Sequence, residues 1–290
     1  MSLVAAAIAP HGFPIIPALS DDAEGGIETR EQMIALGDFF RERGVEAVVI
    51  AGPHGIRADG FFAVVDAARA AGTLHWQGKS VEANVPCDRP LIDGITTTAN
   101  ADGLPVVRVS YAGNRADQAV VPLDWGSMVP LWFLGHVQNE AGTGDVLGPA
   151  PTGAGGPPAV LITPSRSLSR EAMVAFGKSL ATAMANDKRR IGFIASCDWA
   201  HTHRDDGPYG FHEAAERVDA IIVDKVRRNQ LMDLMDLPDD DVQNAAIDGL
   251  WQTLMLAGIQ GQVPFELELK SYEAPAYYGM IVATASVENG

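Results

Sequence analysis

Short apolar runs that alternate with amphipathic stretches are the feature that most constrains the fold of this chain. Residues 3–8 and 47–50 are continuous apolar runs typical of buried strands, and residues 27–43 between them place apolar side chains at helical spacing. Together they predict a strand, a helix and a second strand. The same pattern predicts strands at 159–162 and 191–195 and helices at 170–186, 213–228 and 242–258.

Alternating strands and helices predict an α/β fold with a central, mostly parallel or mixed sheet and helices on both of its faces. The 290 residues show no break in composition, so we predict a single catalytic domain over residues 1–290. Residues 142–158 are rich in Gly, Pro, Ala and Thr, which indicates a surface loop rather than a linker between domains.

Composition argues against several classes of protein. With 47% hydrophobic and 20% charged residues the chain is not typical of a disordered protein, and no apolar run approaches the roughly 20 residues that span a bilayer. The net charge of -16 argues against a nucleic-acid partner, because phosphate neutralisation needs clustered Lys and Arg. The apolar start lacks the basic region of a signal peptide, and two cysteines are too few for a disulfide framework. We therefore expect a cytoplasmic protein without a membrane partner.

Two histidines share one local context. His11 and His54 each lie in a Pro-His-Gly triplet that directly follows a predicted strand. Such strand-end loops are where open α/β sheets collect their ligands. Proline stiffens the entry, and glycine lets the backbone pass close to a ligated imidazole. A lone loop histidine is usually solvated or a capping residue, but the repeated triplet indicates a shared metal site, and imidazole suits iron, zinc, copper or nickel.

A third polar cluster, residues 195–203, follows the predicted strand at 191–195. A strand-end histidine such as His201 can move protons near neutral pH, because its unperturbed pKa lies there. The alternative interpretation makes His201 and His203 ordinary loop residues and Asp198 an ordinary turn former.

Landmarks spread over nearly the whole chain occur in a characteristic order: Ala9-Pro10-His11-Gly12, Gly52-Pro53-His54-Gly55, Leu123-Asp124-Trp125-Gly126 with Val129-Pro130-Leu131, Ala195-Ser196 to His201, and Ser271-Tyr272-Glu273-Ala274-Pro275 with Gly279-Met280. In this order they resemble the class III extradiol ring-cleavage dioxygenases of the protocatechuate 4,5-dioxygenase beta-subunit superfamily. Each motif alone is weakly specific for this family, whereas the ordered set is much more specific.

In that family two histidines and one carboxylate hold Fe(II) on one face and leave positions open for substrate and dioxygen. The resemblance implies His11 and His54 as the imidazole ligands and His201 as the acid/base residue. It also implies Asp248 as the carboxylate, because residues 247–250 resemble the segment in which a Glu, or a Cys in non-dioxygenase relatives, begins the penultimate helix. Zinc or manganese could replace Fe(II) in purified protein.

The carboxylate has competing candidates. Asp is one methylene shorter than the usual Glu, so the metal or its distance to the helix must adjust. Glu273 is the main alternative, because its turn lies near the site in the family, although we favour hydrogen bonding to backbone donors as the role of its carboxylate. Glu266 and Glu268 alternate in a strand-like segment, and we expect them to face solvent.

Substrate contacts are predicted for side chains in or beside the landmarks. Trp125 stands where many relatives have a histidine, and an indole can donate one hydrogen bond but cannot exchange a proton. Aromatic side chains could line a pocket for a flat ring, although aromatics in α/β folds are mostly core. The predicted substrate-binding residues are Phe13, Asp124, Trp125, Trp199, His203 and Glu273.

The resemblance implies a non-haem Fe(II)-dependent extradiol dioxygenase that opens a catechol-type or 2-aminophenol-type ring with O2, in the catabolism of aromatic compounds. Two alternatives keep the same fold: a zinc-dependent hydrolase on the same ligands, and a metal-binding regulatory protein. A regulatory relative would lack a site histidine, whereas His11, His54 and His201 are all present. The family also implies a homo-oligomer or pairing with a small second subunit.

Overall fold

The computed structural model describes residues 2–111, 114–135 and 157–287, so the loop predicted at 142–158 lies almost wholly outside the described residues. The strands are β1 (Leu3–Ala9), β2 (Ala47–Ala51), β3 (Phe62–Val65), β4 (Arg69–Trp76), β5 (Lys79–Pro86), β6 (Val106–Val109), β7 (Val120–Pro122), β8 (Ala159–Pro164), β9 (Ile191–Ser196), β10 (Glu268–Glu273) and β11 (Met280–Ser286). The helices are α1 (Ile27–Glu42), α2 (Arg89–Ala101), α3 (Trp125–Gly135), α4 (Arg170–Ala185), α5 (Ala214–Arg227), α6 (Asp239–Asn244) and α7 (Leu250–Gln260).

The main sheet has the strand order β10-β11-β1-β9-β2-β8-β3-β6. Its centre is parallel, because β9 pairs in parallel with both β1 and β2, and β2 pairs in parallel with β8. β11 and β3 run antiparallel to their neighbours β1 and β8. The predicted α/β fold with a mixed sheet is confirmed. β1, β2 and β9 are buried along their whole length, which explains their unbroken apolar sequences.

Two groups of helices cover the faces of the main sheet: α1 packs with α3, and α4 packs with both α2 and α7. Small residues bring the layers together. A Cβ at Gly192 of β9 would lie 2.5 Å from a ring carbon of Phe40 in α1, so α1 lies directly on this strand. Within the described ranges, no helix is long and apolar enough to cross a bilayer.

A second sheet, with the order β5-β4-β7, was not anticipated from the sequence. β4 and β5 form a hairpin whose two turn residues, Gln77 and Gly78, have φ values of 46° and 80°. Two successive positive φ values are typical of the type I′ turn that joins tightly paired strands. The hairpin carries Trp76 towards the cleft described below.

The helix predicted over residues 242–258 is wrong as a single element, because the structure has α6 and α7 there with a connection between them. Ala246 in this connection has a φ of 50°, which no α-helix accommodates. The other predicted helices and strands agree with the structure to within one or two residues at each end, except that the strand-like segment predicted at 265–269 is shifted to β10, which begins at Glu268. The break matters for function, since Asp248 lies in it.

Candidate metal centre

The carboxyl ends of three neighbouring strands bring the predicted site residues together. β9 lies between β1 and β2, and all three run parallel. His11 follows the end of β1, His54 follows β2, and His201 follows β9. Asp248 joins them from the connection between α6 and α7. This edge of the sheet is the usual ligand-binding edge of such folds.

The two imidazoles converge on one carboxylate oxygen. The Oδ2 of Asp248 lies 3.5 Å from Nε2 of His11 and 3.7 Å from Nε2 of His54. The potential ligand atoms of the three side chains all lie within 4.8 Å of one another. Two donors that each bind one ion at about 2.1 Å can be at most about 4.2 Å apart, so both His–Asp distances fit a shared ion. Two imidazoles and a carboxylate suit Fe(II) or zinc.

Hydrogen bonds hold the His11 ring in the orientation that a metal ligand needs. Its Nδ1 lies 3.1 Å from Oγ of Ser196, and that hydroxyl donates to the carbonyl oxygen of Gly126. The hydroxyl therefore accepts from His11, and Nδ1 carries the hydrogen. In the neutral ring that a metal would bind, Nε2 therefore carries the lone pair, on the side of Asp198 and Asp248. This is the usual way that an outer partner sets the tautomer of a ligating histidine.

His201 lies beside the same carboxylate. Its Nδ1 is 2.7 Å from the carbonyl oxygen of Trp199, which can only accept, so Nδ1 carries the hydrogen. Its Nε2 is 3.8 Å from Oδ2 of Asp248 and is free to take up a proton. The Tyr278 ring stacks at 5.9 Å between ring centroids from His201. His201 thus presents a proton acceptor at the edge of the proposed metal position.

Burial and neighbouring charges shift the pKa values of the clustered side chains in different directions. Burial opposes protonation of His11, but the neighbouring carboxylates of Asp198 and Asp248 outweigh it and raise the pKa of His11 to about 9. Burial also opposes ionisation of Asp248, yet the imidazoles of His11, His201 and His54 lower its pKa. Burial and the charge of Asp248 raise the pKa of Asp198. In the metal-free protein His11 is therefore a protonated imidazole at neutral pH.

The pKa of the second imidazole, His54, shifts in the opposite direction to that of His11. Burial lowers the pKa of His54 to about 4, and the positive charges of His11, Arg57 and Arg166 act in the same direction. His54 is therefore neutral at pH 7. A metal would displace one proton, from His11, because ligating histidines must be neutral.

The cluster forms part of the wall of a cleft of about 1340 Å³. His11, His54, His201 and Asp248 share this wall with aromatic side chains. The indole of Trp125 lies over the His54 ring, with 4.1 Å between ring centroids. A cleft with aromatic walls and a few convergent polar groups suits a flat organic ligand. Its other aromatic residues are Phe13, Trp76, Tyr209, Trp251, Tyr277 and Tyr278.

Of the predicted substrate-binding residues, Phe13 and Trp125 line the cleft, whereas the other four do not. The Asp124 carboxylate accepts from the backbone and the hydroxyl of Ser127 at the start of α3. Trp199 is fully buried in the core. Nε2 of His203 lies 2.8 Å from Oδ2 of the buried Asp219.

Among the competing acids, Glu273 accepts two hydrogen bonds from Thr29, at 2.5 Å from its backbone nitrogen and 2.6 Å from its hydroxyl. The Glu273 carboxylate is therefore occupied by hydrogen bonds, one of them from a backbone donor. Glu266 and Glu268 are exposed, as expected. Asp248 is thus the one of these four acids whose carboxylate lies beside the histidines.

The glycines of the two triplets act differently from the sequence-based expectation. A Cβ at Gly12 would lie 2.5 Å from the hydroxyl oxygen of Tyr278, so glycine admits this tyrosine rather than an imidazole. Gly55 has a φ of 96°, a conformation that favours glycine, so it serves the turn.

Asp198 is the site residue that sequence reasoning missed. Its Oδ2 lies 3.4 Å from Nε2 of His11, and its Oδ1 accepts from the backbone nitrogen of His11 at 3.0 Å. Its own backbone nitrogen donates to Asp248 at 3.0 Å, so Asp198 links the ends of β1 and β9 to the α6–α7 connection. The sequence signal for a site role of Asp198 is its position in the same strand-end segment as His201.

Two imidazoles and a carboxylate at the carboxyl edge of a parallel sheet define a candidate mononuclear metalloenzyme of the α/β class. The sequence model of the catalytic LigB subunit of aromatic ring-opening dioxygenase matches residues 5–283, and the chain belongs to this family. The family resemblance expected from the ordered landmarks is confirmed.

Individual relatives add the fold but no activity. Protein CA_C1420 of Clostridium acetobutylicum is 25% identical over 275 residues, which cover 94% of this chain and 55% of that protein. The chain therefore spans about half the length of this curated relative. The crystal structure of the uncharacterized protein JW3007 from Escherichia coli K12 superimposes with a TM-score of 0.61 at 15% identity, covering 97% of this chain and 99% of that one.

Proposed function

We propose that the chain is a non-haem Fe(II)-dependent extradiol dioxygenase that opens the ring of a catechol-type or 2-aminophenol-type substrate with O2. The observation that carries the proposal is the convergence of His11, His54 and Asp248, with the free Nε2 of His201 beside the same carboxylate. Membership of the ring-opening family and the aromatic cleft support it.

In this proposal His11, His54 and Asp248 hold the metal, and His201 moves protons. Bound iron would bring the diol and dioxygen together and let electrons pass from the ring to oxygen. The chain's own contribution is positional: the hydrogen bond from Nδ1 of His201 to Trp199 keeps Nε2 available to take a proton from a substrate hydroxyl. The indole of Trp125, beside His54, forms a flat wall against which a ring can lie.

The direct test is anaerobic reconstitution of the full chain with Fe(II), followed by a panel of catechols and 2-aminophenols in air-saturated buffer. We expect a yellow ring-opened product from at least one of them. His201→Ala should lower turnover by about 100-fold or more and retain its iron, because the side chain handles protons and does not bind the metal. His75→Ala, an exposed histidine on β4, is the matched control. Iron-loaded protein that opens none of the rings would refute the proposal.

A zinc-dependent hydrolase is the second candidate, because the same two imidazoles and carboxylate would leave zinc with an open position for water. Metal analysis of protein purified without oxygen separates the two functions. Iron with ring-opening activity supports the dioxygenase, whereas zinc with hydrolysis of ester or amide substrates supports the alternative.

The cytoplasmic location and the assembly expected from the family stay predictions. Light scattering of the purified chain distinguishes a homo-oligomer from a monomer. A monomer with low activity would direct the search to a small second subunit.

A further inference from the structure

A second group of polar side chains lies outside the cleft and is built around the carboxylate of Asp219 on α5, which is completely buried. Its Oδ2 accepts hydrogen bonds from Nε2 of His203 and from the hydroxyl of Tyr272, both at 2.8 Å. Its Oδ1 accepts from the backbone nitrogen of Ala200 at 2.9 Å. A carboxylate withdrawn from water needs such donors, so three of them on one buried group indicate a specific arrangement.

The Asp219 carboxylate holds the chain on both sides of His201. Oδ1 binds Ala200, the residue before it, and Oδ2 binds His203, two residues after it. The imidazole of His201 is oriented by the carbonyl oxygen of Trp199, which accepts from Nδ1 at 2.7 Å. Because all of these residues belong to one short segment, the orientation of the imidazole depends on where Asp219 holds that segment.

Gly279 shows how closely Asp219 is fitted against this segment. A Cβ at Gly279 would lie 2.0 Å from Oδ2 of Asp219, so a glycine is needed to admit the carboxylate. The Gly279 carbonyl accepts from the backbone nitrogen of Trp199 at 2.8 Å, and its nitrogen donates to the carbonyl of Ala200 at 3.0 Å. Asp219 therefore fixes the segment of the acid/base histidine against the residue that precedes β11.

The group around Asp219 has no direct access to a ligand in the cleft. His203, Asp219 and Tyr272 are not among the residues that line it. The side chain of His203 is 14% exposed and that of Asp219 not at all. The route from this group to the chemistry is therefore the segment that it holds.

We propose that Asp219, with His203 as its hydrogen-bonding partner, is the positioning residue of His201. This inference rests on the proposed function, in which His201 moves protons. By holding the chain before and after His201, the carboxylate keeps the free Nε2 beside Asp248, at 3.8 Å from its Oδ2. Without it the imidazole leaves this orientation, which slows proton transfer and leaves metal binding intact.

The kinetic test compares kcat with KM in the iron-loaded chain. Asp219→Asn should lower kcat by roughly 10- to 100-fold, the scale of a small displacement of a catalytic group, because the amide nitrogen cannot accept from His203. KM and iron content should change less than about twofold. His203→Ala should also lower kcat, whereas His203→Gln should restore most of it, because the amide of Gln can donate to Asp219 in place of Nε2.

Asp88→Asn is the matched control, since Asp88 is a buried carboxylate that caps α2 and pairs with Arg189. It should lower the stability of the fold and leave kcat within about twofold of the wild type. Circular dichroism checks the folding of each variant, and His203→Ala replaces Asp219→Asn in every comparison if the latter does not fold.

A double variant shows whether Asp219 acts through His201. In the His201→Ala background the imidazole is gone, so Asp219→Asn should lower the residual kcat by less than about twofold further. An equal loss in both backgrounds, or a rise in KM together with loss of iron, would show a general structural role and overturn the inference.

NMR of the metal-free chain tests the inference separately from the proposed function. With 15N-labelled histidine, the Nδ1–H signal of His201 is assigned by its loss in His201→Ala. Its hydrogen bond to Trp199 and the low exposure of its side chain, 12%, should slow its exchange with water. We expect exchange to be about tenfold faster in Asp219→Asn and unchanged in Asp88→Asn.

This exchange result supports the positioning role even if no ring is opened and the dioxygenase proposal fails. Unchanged exchange in Asp219→Asn would overturn the positioning role, and ring opening by the wild-type chain would then leave the dioxygenase proposal standing.

Discussion

His11 holds its proton more tightly in the folded, metal-free protein than in the unfolded chain, because Asp198 and Asp248 raise its pKa from 6.5 to about 9. A raised folded-state pKa stabilises the fold fully below pH 6.5, and this contribution is lost as the pH rises towards 9. We predict that the free energy of unfolding of the metal-free protein falls by up to about 3 kcal/mol over this interval. Urea unfolding in the presence of a chelator, repeated at half-unit pH steps, measures it.

The control for this prediction is His11→Gln, which removes the titrating group from the buried cluster. Its overall stability should be lower, since two carboxylates lose their cationic neighbour, but its stability should hardly depend on pH between 6.5 and 9. A wild-type protein whose unfolding free energy is constant over that range would contradict the charge distribution described for His11.

Single residues also show what local sequence could reveal about the site. His11 and His54 were identifiable because the Pro-His-Gly triplet directly follows a strand, and both facts are local. No site role could be predicted for Asp198, since nothing nearby in sequence shows that it meets His11.

At the scale of elements, the break between α6 and α7 could not be predicted from the sequence. Ala245 and Ile247 are buried, so the apolar spacing continues from one helix into the next. The positive φ falls on Ala246, a residue type that gives no warning of it. A Cβ at Gly249 would lie 2.7 Å from Cβ of Cys197, so this glycine lets the connection approach the end of β9 and brings Asp248 to the histidines.

Close packing of α4 against α7 supports the connection between α6 and α7. A Cβ at Gly177 would lie 2.0 Å from the carbonyl oxygen of Met255, and one at Gly258 would lie 2.2 Å from that of Val174. Backbone atoms cannot move aside by changing rotamer. We predict that Gly177→Ala destabilises the fold by roughly 2 kcal/mol and weakens metal binding, because α7 begins next to Asp248. Chemical unfolding and a metal titration measure the two effects.

Gly94→Ala is the matched control for the helix contact. Gly94 is exposed in the middle of α2, and a Cβ there would have nothing within 4 Å. Alanine should therefore stabilise the protein by about 0.5–1 kcal/mol through helix propensity, with metal binding unchanged. Similar stability changes in both variants would show that α4 and α7 are not packed as closely as the structure has them.

At the scale of the molecule, strand and helix alternation was enough to predict the class of fold, because continuous apolar runs arise where a parallel sheet is covered on both faces. The same reasoning could not find the smaller sheet. β4 and β5 alternate between buried and more exposed residues and pair mainly with each other, so their apolar signal is weak. The chain order of the landmarks, rather than any one pattern, indicated the family.

The proposed ligands come from distant parts of the chain, since His11 follows the first strand and Asp248 precedes the last long helix. A metal bound there links the sheet to the α6–α7 connection and so stabilises the whole fold by mass action, by about 2.7 kcal/mol at a hundredfold excess over Kd. We predict that Mn²⁺ or Zn²⁺ at that excess raises Tm by roughly 4 °C. Mg²⁺, which prefers oxygen ligands, should have little effect, and His54→Gln should abolish the response of the protein to Mn²⁺. Thermal unfolding followed by circular dichroism measures all four cases, and an equal shift with Mg²⁺ or in His54→Gln would mean that the ions bind elsewhere.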